Sequence, residues 1–119
     1  MSVSRLEDLV VWVRSRNLNK MAYQVVRTIP DPDYRSQMKR SALSIPSNIG
    51  EGFGRRSNAT FILFLGYAQG SAYELKTQLL ASVDVELINE ERVVPVLNEL
   101  DEVSAMIHGL ILHLQKKGR

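Results

Sequence analysis

The residues able to do chemistry gather in a few places. Gly50-Glu51-Gly52-Phe53-Gly54 is rich in glycine and runs straight into Arg55-Arg56-Ser57. A phosphate-binding loop needs a Gly-Lys-Ser/Thr ending and a strand before it; this stretch has neither, so it reads as a turn. Arg55 and Arg56 carry more. Ser57 or Asn58 is the expected cap of a following helix, and the free N–H groups and dipole of a helix N-terminus favour an anion. Lys116, Lys117 and Arg119 are expected at the same end of the molecule, with Arg5, while Glu7, Asp8 and Glu51 partly offset them. Phosphate is the anion such an end would take. Arg55, Arg56, Lys116 and Lys117 are therefore the candidate nucleic-acid contacts, although no series of stacking aromatic residues is interleaved with them.

The remaining candidates point away from catalysis. A carboxylate-bridged metal bundle needs inward-facing Glu-x-x-His pairs, and neither His108 nor His113 has an acid three residues before it. His108 lies beside an apolar stripe and reads as a packed or interface histidine; His113 reads as solvated. Glu74 is the first charge after sixteen uncharged positions past Ser57. It is either a buried partner for an arginine or for backbone, or it reaches water. No nucleophile elbow is present. Cysteine is absent, which removes disulfide scaffolds, thiol nucleophiles and cysteine zinc sites together. No catalytic residue, metal ligand or cofactor site is expected, and the chain is not expected to be an enzyme.

Composition frames these residues. The chain has 119 residues, 45% hydrophobic and 24% charged, which fits one globular domain over residues 1–119 and excludes disorder and low-complexity classes. The net charge of +2 is small, but it is unevenly spread. Residues 1–56 hold ten Lys/Arg against five Asp/Glu, and residues 57–119 hold five against eight. A solvated basic face would account for that asymmetry, as would a polyanionic partner. No apolar run reaches the roughly 18 residues of a membrane span, and Met1 to Arg16 lacks the basic-then-apolar order of a signal peptide. The expected location is the cytoplasm, away from membranes.

Four segments with helical periodicity must position these groups. The first opens with a Ser4-to-Glu7 capping box. Its apolar stripe is Leu6, Leu9, Val10, Val13, Met21, Val25 and Ile29, and it stops at the double breaker Pro30-Asp31-Pro32-Asp33. The second runs from about Tyr34 to Gly50. Met38, Ala42, Ile45, Ile49 and Phe53 keep helical phase through Pro46, which predicts one helix kinked there, after which Gly50, Gly52 and Gly54 let the chain turn. The third runs from the Ser57 or Asn58 cap to about Val85 on Ile62, Leu65, Ala68, Ala72, Leu75, Leu79 and Val83. The fourth follows an Asn89 cap on Val93, Leu97, Leu100, Ser104, Ile107, Ile111 and Leu114, with a first turn distorted by Pro95 and an end at Lys116-Lys117-Gly118. Short connections make neighbouring helices antiparallel, so the expected fold is all-α, an up-down-up-down four-helix bundle.

Two stretches are unusual for solvent-facing helices. Ser57 to Tyr73 and Val103 to Gln115 contain no Asp, Glu, Lys or Arg. Antiparallel packing puts both at one end of the bundle. The apolar groups there are either all core or a patch larger than a soluble monomer exposes. The second reading is preferred, and it makes Phe61, Phe64, Gly66, Tyr67, Gly70, Met106 and Leu110 a candidate subunit interface, with the two glycines admitting a second backbone.

Several segments together carry a resemblance. Leu6-Glu7-Asp8-Leu9-Val10-Val11-Trp12, then Ser44-Ile45-Pro46-Ser47-Asn48-Ile49-Gly50-Glu51-Gly52, then Phe64-Leu65, Glu74-Leu75 and Thr77-Gln78-Leu79, and finally Met106-Ile107-His108-Gly109-Leu110-Ile111 are similar to the four-helix-bundle proteins encoded in 23S ribosomal RNA intervening sequences. The Ser-Ile-Pro-Ser-Asn-Ile stretch is the specific part. Gly50 for the usual Ala, His108 for the usual Asn and Pro95 in the fourth helix depart from the pattern. The resemblance implies an antiparallel bundle assembled as a ring-shaped homopentamer, with no established catalytic residue. Relatives include accessory proteins of diversity-generating retroelements, which bind nucleic acid and a reverse transcriptase through a strongly basic surface. The expected function is thus a non-enzymatic oligomer that binds RNA or DNA, or a nucleic-acid enzyme, through its basic end. The alternative is a structural or protein-interaction module with no nucleic-acid role.

Overall fold

The computed structural model describes residues 3–117. It contains, among the described residues, four α-helices and no strand: α1 Val10–Val26, α2 Pro32–Gly54, α3 Asn58–Asp84 and α4 Glu90–Lys117, preceded by one 3₁₀ turn at Leu6–Asp8. They form a rod 48 Å long and 19 Å across. The length follows from α4, whose 28 residues rise 1.5 Å each and span about 42 Å. No helix among the described residues is long and apolar enough to cross a membrane. Gly118, expected at the end of the fourth helix, and Arg119, assigned above to the basic end, lie outside the described residues.

α1 packs on α2 and α4, and α3 packs on the same two helices from the other side. Cross-helix pairs run in opposite sense along each seam. Trp12 meets Gly50 while Tyr23 meets Lys39; Phe53 meets Phe61 while Met38 meets Ser82; Gln69 bonds Ser104 while Lys76 bonds Asp101; Arg14 bonds Glu99 while Thr28 bonds Arg92. Neighbours are therefore antiparallel. One core runs along the rod, and its large side chains include Leu18, Met38, Ile45, Ile49, Leu65, Leu75, Leu79, Leu100 and Ile107, all fully buried. Each such Leu or Ile contributes about 1.5–3 kcal/mol by leaving water.

α3 and α4 keep the expected faces. Leu65, Ala68, Ala72, Leu75 and Leu79 are buried, as are Val93, Leu100, Ser104, Ile107 and Leu114. α1 keeps part of its own: Leu9 and Ile29 are buried and Leu6, Met21 and Val25 pack against the core. The helix itself buries Val11, Ser15, Leu18, Ala22 and Val26, whereas Val10 and Val13 of the expected stripe are 62% and 44% exposed. Leu6–Asp8 is a separate 3₁₀ turn and Leu9 is extended, so Val10 is the first residue of the helix, and Val13 stands about 140° around it from Leu18. The Ser4–Glu7 capping box does not form, and neither Arg5 nor Leu9 caps with its side chain.

α2 starts two residues earlier than expected. Asp31 caps it, its carboxylate accepting from the backbone N–H groups of Asp33 and Tyr34 at 2.9 and 3.1 Å, and Pro32 takes the first helical position. The helix passes through Pro46 as one element, with Ile45 and Ile49 both fully buried. It also continues through all three glycines to Gly54. Gly50 and Gly52 serve packing here, not turning. A Cβ on Gly52 would lie 2.6 Å from the Phe64 Cβ, and one on Gly50 would lie 3.3 Å from the Trp12 indole nitrogen. The chain turns instead at Arg56, whose φ of 57° is left-handed.

Candidate functional site

The uncharged part of α3 divides into two faces. Phe61, expected at a subunit interface, is 5% exposed and stands edge-on to Phe53 at 5.9 Å. It belongs to the core, because α3 brings it to the same side as Leu65 and Ala68. The other face is open. Leu63 and Tyr67 are each 51% exposed and Tyr73 is 58% exposed. Gly66 and Gly70 lie between them, and a Cβ built on either meets nothing within 4 Å. Phe64 is half-buried, edge-on to the Tyr67 ring. On α4, Met106 and Leu110 are half-buried against the core, Leu112 is exposed, and Gly109 is as open as the α3 glycines. His108 and His113 are both exposed, so His108 is not packed inside its own chain. Glu74 is exposed as well; it accepts a 3.0 Å hydrogen bond from the buried Ser41 hydroxyl.

The basic end is partly self-neutralised. Arg55 donates to Glu51 at 2.8 Å, one helical turn back, and lies over the Phe64 ring at 5.3 Å. Arg5 and Glu7 approach to 3.8 Å. Ser57 caps α3 through a long 3.4 Å bond from the Thr60 N–H, which occupies one of the donors an anion would use. Arg56 lines a small cleft of about 170 Å³ with Ser4, Ser57, Asn58 and Leu114. Leu114 brings the last turn of α4 here, and Lys116 and Lys117 follow it, exposed.

A larger concentration of charge lies elsewhere. Residues 10–54, which make α1 and α2, carry seven Lys/Arg and three Asp/Glu; residues 58–117 carry four and eight. α1 itself has no acidic residue. Its one deeply engaged cation is Arg14, which forks onto Glu99 of α4 with two bonds of 2.9 Å. The hydrogen bond from Arg14, aided by its charge, holds the Glu99 carboxyl below the ordinary glutamate range, although burial acts against this. Between α1 and α2 runs an open groove of about 840 Å³, lined by Trp12, Arg16, Asn17, Asn19, Lys20 and Ser47 among others. The Arg16 guanidinium sits over the Trp12 ring at 4.9 Å, and farther along the Lys39 ammonium sits over Tyr23 at 5.0 Å. The spacing of Trp12, Arg16, Asn19, Lys20 and Tyr23 on one helical face was present in the sequence. That α2 leaves this face open could not be read without the seam. Among the described residues, no three His, Asp or Glu side chains gather as a metal-ion group.

Comparison with known proteins gives matches of two kinds. The profile of a family described as 23S rRNA-intervening sequence protein matches residues 7–109. Among solved structures, a protein of unknown function from the S23 ribosomal protein family of Bacteroides thetaiotaomicron VPI-5482 is similar in fold, with a TM-score of 0.79. It is 24% identical, and the likeness covers 86% of this chain and 95% of that one. No curated protein matches.

Proposed function

The chain belongs to the 23S rRNA-intervening sequence protein family, and from that premise we propose that it is a non-enzymatic helical module that assembles with copies of itself and holds nucleic acid. The observation carrying the assembly is the outer face of α3. Leu63, Gly66, Tyr67, Gly70 and Tyr73 line up at helical spacing, exposed and uncharged, beside Gly109 and Leu112 of α4. A soluble helix ordinarily turns charge outward there. Phe64, half-buried at the α2 edge of this face, and Met106 and Leu110, half-buried on the edge of α4 that carries Glu99 toward α1, are the other interface residues of this reading. The ring of five follows from the resemblance, and its test is light scattering at micromolar concentration. Five times the 13.5 kDa subunit mass is expected; a monomer mass overturns the reading.

The nucleic-acid role has its first support in the exposed cations Arg55, Arg56, Lys116 and Lys117 at one end of the rod. Repetition around a ring would multiply weak contacts into avidity. Binding there is expected to tolerate sequence, and each lost contact lowers the log–log salt slope by about 0.7 to 0.9. Arg55→Glu with Arg56→Glu tests the end directly. If the unmodified protein binds no RNA at low salt, the protein-interaction module takes first place, with a nucleic-acid enzyme as one partner to assay. The role lies in the cytoplasm on this reading.

A further inference from the structure

We infer that the α1–α2 groove, and not only the basic end, is a binding site for single-stranded nucleic acid. The inference rests on the reading that this protein meets nucleic acid, but it requires neither the ring nor Arg55 and Arg56. Three features converge. First, the groove's cations are unpaired within the chain. Glu51 also lines the groove, but Arg55 holds its carboxylate at 2.8 Å; among the described residues, no carboxylate lies within 4 Å of Arg16, Lys20, Lys39 or Arg40 in an ion pair, and α1 contributes no acid at all. Second, aromatic rings are interleaved with those cations. Trp12 lines the groove and Tyr23 lies beyond it on the same face of α1, eleven residues or about 16 Å along the helix, and each already carries a cation over its face. Third, the polar groups between them are suited to bases. Asn17, Asn19 and Ser47 line the floor and wall, and nothing among the described residues accepts a hydrogen bond from the Trp12 indole N–H.

Each part answers one need of a single strand. Lys and Arg meet the phosphates; ring faces and the Arg16 guanidinium plane stack bases; side-chain amides bond base edges. A duplex offers the same phosphates but keeps its bases stacked inside, so Trp12 and Tyr23 would gain nothing from it. The acidic α3–α4 half repels a polyanion and leaves the α1–α2 side as the approach.

The protein supplies its own reporter, because Trp12 is the only tryptophan in the chain. The test titrates the whole protein at low salt with an oligothymidylate of about 16 nucleotides, the upper site size of single-strand modules, and with a duplex of equal length. Trp fluorescence and anisotropy are read together, with assembly mass measured on the same samples. Quenching by the single strand, lost with rising salt, is the expected result. Arg16→Glu with Lys20→Glu, both at exposed positions, is expected to weaken binding at least tenfold and to lower the salt slope by about 1.4. Arg55→Glu with Arg56→Glu, which removes the basic end and also frees the groove's Glu51 from Arg55, is expected to weaken binding while leaving quenching at saturation in place. Trp12→Phe, which keeps a ring, retains binding by anisotropy within a few-fold. Binding without quenching, or quenching that survives charge reversal in the groove, overturns the proposal. So does loss of the assembly, with nucleic-acid affinity kept, in the Arg16/Lys20 variant, since the groove would then face the acidic α4 side of a second copy.

Discussion

Replacing Gly66 and Gly70 together by alanine separates a surface that meets water from one that meets another chain. A glycine inside an exposed helix costs about 1 kcal/mol relative to alanine. A Cβ at either site touches nothing within 4 Å of its own chain, so no clash offsets the gain. The pair should stabilise an isolated subunit by about 2 kcal/mol, or roughly 8 °C in Tm at this size. At a tight interface the sign reverses, because a methyl group forced between close backbones costs about 1–3 kcal/mol. Each contact around the ring would then weaken about tenfold or more. Light scattering over a dilution series reads assembly, and urea unfolding of the dissociated subunit reads stability. The expected outcome is a more stable subunit with a lower assembly mass. A more stable protein of unchanged mass refutes the assignment of this α3 face. Gly52→Ala is the control of opposite kind: its Cβ would lie 2.6 Å from the Phe64 Cβ and 3.1 Å from the Phe61 ring, so the subunit itself is expected to lose about 1–3 kcal/mol.

Other outcomes follow from single contacts. Glu86 closes α3 in a left-handed conformation, φ 63°, with Leu87 N–H bonded to the Ser82 carbonyl and Glu86 N–H to that of Val83; Glu86→Gly should raise stability by about 1 kcal/mol in urea unfolding. The Glu99 carboxyl is depressed by the Arg14 hydrogen bond. The stability it supplies is therefore complete above the ordinary glutamate pKa of about 4.3 and is lost as pH falls through the lower folded value. Glu99→Gln should lower Tm at pH 7 and flatten the acid limb of the Tm–pH curve; an unchanged limb would remove Glu99 from the account. Ser57→Ala should destabilise the start of α3 by about 0.5–1 kcal/mol, at the low end for a cap because the bond is long.

The parts of this structure that a reader of the sequence could see are those where one large apolar residue marks each turn. Leu65, Leu75 and Leu79 do so in α3, and Val93, Leu100 and Ile107 in α4. α1 was misleading because its true core face contains Ser15 and Ala22, while Val10 and Val13 point to solvent. Ser15 is tolerated there because its hydroxyl donates back to the Trp12 carbonyl at 2.8 Å. Glycine was read for its conformational freedom at Gly50 and Gly52, where what mattered was the missing side chain. Arg56 took the left-handed turn that a glycine would have signalled. Pro32 looked like a breaker when, behind an Asp cap, it is a start signal. That Arg56 and the last turn of α4 share one end of the rod follows from the order of helices alone. The α1–α2 groove needs the rotation of two helices about their axes, which no local pattern specified.

The opposite charges of the two helical hairpins also bear on how the chain reaches this shape. Residues 10–54 are synthesised before residues 58–117, so the cationic half of the chain precedes its anionic counterpart. Two hairpins docking on one another would attract before they touch. At 0.1 M salt the screening length is about 10 Å, half the 19 Å width of the rod, so that attraction acts only over the last approach. Moderate salt is therefore expected to slow folding in stopped-flow refolding while leaving unfolding nearly unchanged, since the core that resists unfolding carries no charge. The charge pattern that orients a partner on the finished surface would first have oriented the protein's own halves.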